Sequence, residues 1–181
     1  MGTTKTTKDD MFAIKILFTD EATFTNNGQV NLRNMHYWSV ENSHWMREVD
    51  KQRPWSINVW ASILNDKIID LHFIDGPLNS RKYAQILTEI LPLLLEDLPL
   101  NVRQSMLYQQ DGCPAHSARI ITELLNRKFG DCWIGRSGYN RPARSPDLTL
   151  MDFYLWGKLK QQVYSEMPTT REDMKERIRR A

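Results

Sequence analysis

The stretch FAIKILFTDE (residues 12–21) opens with the apolar run Phe12 to Phe18 and stops at Thr19, Asp20 and Glu21. So short and continuous an apolar run reads as a largely buried central strand, with carboxylates at its C-terminal end. A second stretch repeats the pattern: Ser105 to Gln110 reads as a strand that stops at Asp111, followed by Gly112-Cys113-Pro114-Ala115-His116. Open α/β sheets bind their ligands at the C-terminal edge of the strands, where both aspartates fall. Taken singly, an aspartate at a strand end more often caps a turn or helix. Two on adjacent strands are harder to explain that way, because like charges about 4 Å apart repel by about 4 kcal/mol at an effective dielectric near 20. A cation belongs between them.

Carboxylate oxygens are hard ligands that favour magnesium or manganese over zinc, and the shortage of His and Cys nearby points the same way. Two such ions about 3.5–4 Å apart activate a water or a 3′-hydroxyl and stabilise the leaving oxygen of a phosphodiester. Asp152, near the start of a helix after an Arg-rich loop, is the candidate third carboxylate. It reads equally well as a capping residue, since Thr149-x-x-Asp152 resembles a capping box.

Working outward, residues 55–63 alternate as a strand, Asn65-Asp66 forms a turn, and residues 68–74 form the hairpin partner. The first three strands are therefore expected to be antiparallel. Tyr83, Ile86, Leu87, Ile90, Leu91 and Leu94 fall at helical spacing over 79–95, with Asn79 or Ser80 as cap and Pro92 as an interruption or bend. Further helices are predicted over 117–129, over 150–163 with Leu155, Trp156, Leu159 and Val163 as the apolar side, and from about Thr170 onward. Cys132-Trp133-Ile134 adds a fifth strand. Strands in a meander followed by strands alternating with helices predict an α/β sandwich around a five-stranded mixed sheet. Trp38, Trp45, Trp55, Trp60, Trp133 and Trp156 mostly fall in apolar patterns and read as core rather than base-stacking platforms.

At 181 residues and 41% hydrophobic content, one globular domain is expected over 12–181, after a flexible polar tail at 1–11. The longest apolar runs fall far short of the roughly 20 residues of a membrane helix, and the first residues are not signal-like. Two cysteines, Cys113 and Cys132, cannot build a disulfide framework, so a reducing compartment fits. The net charge of +2 is unevenly spread: residues 1–111 carry 11 Lys/Arg against 14 Asp/Glu, residues 112–160 carry 8 against 4. A basic segment placed late in the chain is compatible with a nucleic-acid path.

The strings LFTDEATF (17–24), NVWASI (58–63), YQQDGCPAHSA (108–118) and PARSPDLTLMDFYLWGKLK (142–160) closely resemble the catalytic domain of mariner and related eukaryotic transposases, the DDE/DDD superfamily. The resemblance runs from about residue 12 to the end. It implies a ribonuclease H-like fold, with two acids at the ends of the first and fourth strands and the third on a later helix. It also implies Asp20, Asp111 and Asp152 as catalytic and metal-binding residues, with Mg2+ or Mn2+, two ions, and no small-molecule cofactor. Ninety residues separate the first two and 40 the second two, a longer second interval than is typical of mariner, which suits a branch with Asp as third ligand. Asp147 is the rival for that place, but the family pattern puts the ligand at the later acid.

His116, just past Asp111, is expected to contact DNA near the metals or to shape the loop. Arg136, Arg141 and Arg144 lie between the second and third ligands, where phosphate contacts would orient DNA. Glu21 faces away from Asp20 if the strand continues, and stays outside the metal shell. The family usually has Trp where Arg141 stands and Pro where Leu150 stands. It also carries helix-turn-helix DNA-binding modules ahead of the catalytic domain, which are expected to be missing here, and the end at Ala181 reads as a truncation. The implied partners are transposon ends and target DNA, a homodimer in the full-length form and no membrane, with action in the nucleus. The competing readings are a degenerate or domesticated remnant that binds nucleic acid or a protein without catalysis, and a ribonuclease H-like nuclease of unrelated function.

Overall fold

The computed structural model describes residues 13–28, 55–136, 138 and 151–181. The expected tail at residues 1–11 therefore lies outside the described residues, as do Trp38, Trp45, Arg141, Arg144, Asp147, Thr149 and Leu150.

Five strands, β1 (Ile16–Thr25), β2 (Ser56–Leu64), β3 (Lys67–Ile74), β4 (Leu107–Gln109) and β5 (Trp133–Ile134), form one sheet in the order β3-β2-β1-β4-β5. The first three are antiparallel; β4 joins β1, and β5 joins β4, in parallel. This is the mixed sheet that the sequence predicts. The β2–β3 hairpin closes through the two residues Asn65 and Asp66, with Leu64 paired to Lys67. Asn65 takes φ 57°, the left-handed conformation that such tight turns demand and that Asn tolerates.

Alternation along β1 divides the core. Ile16, Phe18, Ala22 and Phe24 face one side, packed with Met151, Leu155, Trp156, Leu159, Val163, Met174 and Ile178. Leu17 faces the other, packed with Tyr83, Ile86, Leu87, Leu91, Tyr108, Ile121, Leu125 and Trp133. The three tryptophans Trp60, Trp133 and Trp156 are buried, so their core reading holds.

On the second face, α1 (Ser80–Gln85) starts at Asn79, whose side chain accepts from the Lys82 N–H. It passes through a π-helical turn (Ile86–Ile90) into α2 (Leu91–Leu94). The expected interruption is this wider turn: Pro92 has no N–H to donate and its ring crowds the preceding turn, and a π-turn accommodates both. A short helix α3 (Leu100–Ser105) lies where the sequence carries no helical signal, and it buries none of its residues. It also takes Ser105, so β4 is shorter than expected. Then come α4 (Arg119–Phe129) on the second face, and on the first a π-turn (Met151–Trp156), α5 (Gly157–Val163) and α6 (Arg171–Arg180).

One expectation about β1 needs correction. The strand does not end at Asp20 but continues to Thr25, paired with β2 throughout. What ends near Asp20 is its parallel neighbour, whose last paired residue, Gln109, sits opposite Phe18. Phe24, Tyr164 and the β2 pairing hold the extension: the Tyr164 hydroxyl accepts from the Thr25 N–H (2.8 Å) and donates to the Thr25 carbonyl (2.9 Å).

Candidate active site

Phe18 pairs with Gln109 and Gln109 with Ile134, so Asp20, Asp111 and Arg136 form a row in register, each two residues beyond a last parallel pair, the first still on β1 and the others just past β4 and β5. The row lies where β4 and β5 stop, so backbone and side chains there are open to a ligand.

Asp20 is held from the first face. The Trp156 indole N–H donates to its Oδ2 at 2.9 Å. Burial pushes the Asp20 carboxyl up to about 7; the Trp156 and Glu21 N–H donors oppose the rise, and the charges of Asp152 and Glu21 add to it. Asp152 and Trp156 belong to the same π-turn, so the turn that anchors Asp20 also brings the third acid into its field. Asp152 itself is exposed.

Asp111 is held from the second face. Its Oδ1 accepts from the Cys113 backbone N–H (2.9 Å) and lies 2.5 Å from His116 Nδ1. The other ring nitrogen, Nε2, lies 3.2 Å from Glu21 Oε1, an ion-pair contact off the line of a good hydrogen bond. Burial, the largest influence on His116, disfavours its charge. The bonds to Asp111 and Glu21 outweigh burial and raise its pKa to about 10, so the ring is cationic at neutral pH.

Of the two roles expected of His116, DNA contact and shaping the loop, the geometry fits the second: it is only 2% exposed and both ring nitrogens face carboxylates. Tyr83 covers it, with ring centroids 4.0 Å apart. The Tyr83 hydroxyl donates to Gln110 Oε1 (2.9 Å) and sits 2.7 Å from the Tyr108 hydroxyl, and Gln110 Nε2 donates to the His116 carbonyl (3.2 Å). Burial raises both phenols above their ordinary range and keeps them protonated as donors.

The structure thus brings Asp20 together with Asp152, and Asp111 together with Glu21 through His116. Among the described residues, the group of three whose ligand atoms lie within 4.8 Å of one another is Asp111, Cys113 and His116; the three aspartates do not close to that distance. Soft donors are therefore not scarce beside Asp111. Arg136 is exposed at the end of the row. Trp156 and Glu21 had no assigned role in the sequence reading: each acts on a residue 136 or 95 positions away, beyond any local pattern.

Against known proteins, no family model matches the chain. It is 27% identical over 158 residues to the transposable element Tc3 transposase of Caenorhabditis elegans, covering 86% of this chain and 44% of that protein. The chain is similar to the Tc/mariner transposases. It spans less than half the length of the curated relative it matches. Its fold is also similar to that of a Mos1 transposase paired-end complex with the left transposon end, with a TM-score of 0.68 at 17% identity over 93% of this chain and 48% of that one. The Mos1 catalytic domain solved with Raltegravir and Mg matches with a TM-score of 0.64 at 17% identity, over 93% of this chain and 71% of that chain. The chain therefore has the ribonuclease H-like fold, with Asp20 on β1, Asp111 after β4 and Asp152 in the helical segment that packs on the first face.

Proposed function

We propose that this chain is the catalytic domain of a metal-dependent DNA transposase that cuts and joins phosphodiesters, with Asp20, Asp111 and Asp152 holding two Mg2+ or Mn2+ ions. What supports it is that Asp20 and Asp111 each lie two residues beyond the Phe18–Gln109 pair, and that Asp152, in the same turn as Trp156, adds its charge to the field at Asp20. The donor set fits a hard divalent cation. It offers carboxylate oxygens, and the Asp20 carboxyl, raised mainly by burial and further by the charges of Asp152 and Glu21, is in a field that favours a cation. Such ions activate a water or 3′-hydroxyl and offset charge on the leaving oxygen.

The chain's own residues do the rest. Trp156 orients Asp20, and His116 with the Cys113 N–H fixes Asp111. Arg136, and Arg141 and Arg144 later in the sequence, would steer the DNA backbone. In support, Mos1 transposase, similar in fold, was solved on its transposon end, and its catalytic domain with Mg. The same reading assigns DNA as partner, a homodimer to the full-length form and the nucleus as the place of action. That all three acids are present favours retained chemistry over a non-catalytic remnant.

The test is nicking of supercoiled DNA by this chain with magnesium or manganese. We expect Asp111→Asn to remove the activity while leaving the fold intact by circular dichroism; equal nicking by both proteins would overturn the mechanism.

A further inference from the structure

We propose that Asp111, Cys113 and His116 form a zinc site, with Glu21 orienting the imidazole, and that zinc bound there inhibits by withdrawing Asp111 from the magnesium pair. The second half rests on the function proposed above; the first does not.

The donors are one carboxylate oxygen, one thiol sulfur and one imidazole nitrogen, all within 4.8 Å of one another. Zinc takes this borderline mixture of O, S and N in three-ligand sites that leave a fourth position to water, whereas magnesium takes oxygen donors and keeps several waters. The loop already holds the three in place. The Cys113 N–H donates to Asp111, and the Cys113 carbonyl accepts from the backbone N–H groups of His116 (2.9 Å) and Ser117 (3.1 Å) and from the Ser117 hydroxyl (3.1 Å). Asp111 through His116 is thus a clamped turn, and bringing the donors onto a metal needs side-chain adjustment more than backbone movement. Cys113 is a partly exposed free thiol, which gives the ion a route in.

The outer shell also points to a metal. Metal-bound histidines characteristically direct their other ring nitrogen at a carboxylate, which fixes the tautomer and raises ligand basicity. His116 does this: Nδ1 faces the cluster, and Nε2 faces Glu21 Oε1 at 3.2 Å, both of these last atoms being buried and otherwise without a hydrogen-bond partner. On binding, zinc replaces the proton between His116 Nδ1 and Asp111 and the thiol proton of Cys113. Two protons leave, and three metal-ligand bonds form.

The test uses the full chain and the metals alone. Zinc affinity is measured by competition with a chromogenic chelator, and cobalt(II) is added as a spectroscopic stand-in that gives a thiolate charge-transfer band. We expect one equivalent to bind. Cys113→Ser should abolish the cobalt band, and Glu21→Gln should weaken zinc by about 10- to 100-fold, the usual effect of removing an outer-shell carboxylate. Cys132→Ser, at an exposed cysteine outside the cluster, should change neither reading. A band that survives Cys113→Ser, or one lost with Cys132→Ser, overturns the site, as does an affinity indifferent to both Cys113→Ser and Glu21→Gln. In magnesium-dependent nicking, with each protein referred to its own zinc-free rate, Cys113→Ser should need at least about tenfold more zinc for inhibition. A chain that binds zinc as described but never nicks DNA would leave the site standing and sink the transposase reading. A chain that nicks without binding zinc would do the reverse.

Discussion

The bond from Trp156 to Asp20 joins two residues 136 positions apart, and a double-mutant cycle isolates it. Trp156→Phe keeps an aromatic ring against Phe24, whose centroid lies 6.3 Å away, and deletes the indole N–H. A hydrogen bond to an ionised partner contributes about 1.5–3 kcal/mol. The smaller ring leaves a void beside a residue only 3% exposed, for roughly a further 1 kcal/mol. The single variant should therefore lose about 2.5–4 kcal/mol, a fall in Tm of about 5–16 °C at the 2–4 °C per kcal/mol typical of this chain length. Asp20→Ala removes the acceptor and also relieves a buried carboxyl, so its own sign is a sum of opposed effects. The cycle cancels both the void and the relief of burial, leaving a coupling of about 1.5–3 kcal/mol. Denaturant unfolding at about pH 8, above the value near 7 that Asp20 reaches, keeps the carboxyl mostly ionised. A coupling within about 0.5 kcal/mol of zero would refute the idea that this bond anchors Asp20.

Two further variants test the supports around the site and the last helix. Tyr83→Phe removes the donor to Gln110 Oε1 and the partner of the Tyr108 hydroxyl inside the second core, and should lower stability by about 1–3 kcal/mol with an unchanged denaturant slope; a shift under about 0.5 kcal/mol would count against the network. Asp173 lies in the first turn of α6, hydrogen-bonded to the Arg177 guanidinium (2.9 Å) and the Thr169 N–H (2.9 Å), and the Arg177 bond foremost holds its carboxyl below the ordinary value of 3.8. A depressed folded-state pKa contributes stability that is present above 3.8 and lost as pH falls through the folded value. Asp173→Asn should therefore unfold more easily at neutral pH, and the gap to wild type should close in acid; a gap that persists below the folded pKa, or widens, would contradict the pairing.

The order of the elements was legible because each announces itself locally. The apolar run of β1, the Asn65-Asp66 turn, the Asn79 cap and the spacing of Leu155, Leu159 and Val163 all depend on neighbours a few residues away. The extent of β1 was not read, because Asp20 and Glu21 look like a stop to any local rule. They are tolerated mid-strand only because Trp156 and His116 arrive from distant segments to meet them. Helix α3 escaped notice for the opposite reason: with no buried residue it has no apolar face to leave a pattern. At the site, Asp20 and Asp111 followed from strand patterns, whereas Asp152 rested on a family resemblance. The π-turn explains why local rules could not settle it, since Asp152 sits in an irregular segment defined by its packing on β1.

Because successive residues of a strand face opposite ways, Asp20 and Glu21 hand the two halves of the site to different cores. The half containing Asp20 and Asp152 depends on the core built by Trp156, Leu159 and Val163, and the half containing Asp111, His116 and Glu21 on the core built by Tyr83 and Tyr108. Among the described residues the sheet joins them through a narrow parallel seam: three pairs between β1 and β4, continued by two between β4 and β5. Damage to one core should therefore disturb its own acid first and leave the other's hydrogen bonds in place. Chemistry that needs Asp20, Asp111 and Asp152 at once depends on both cores being intact, which makes that short parallel seam the part of the fold on which any metal-dependent activity most directly rests.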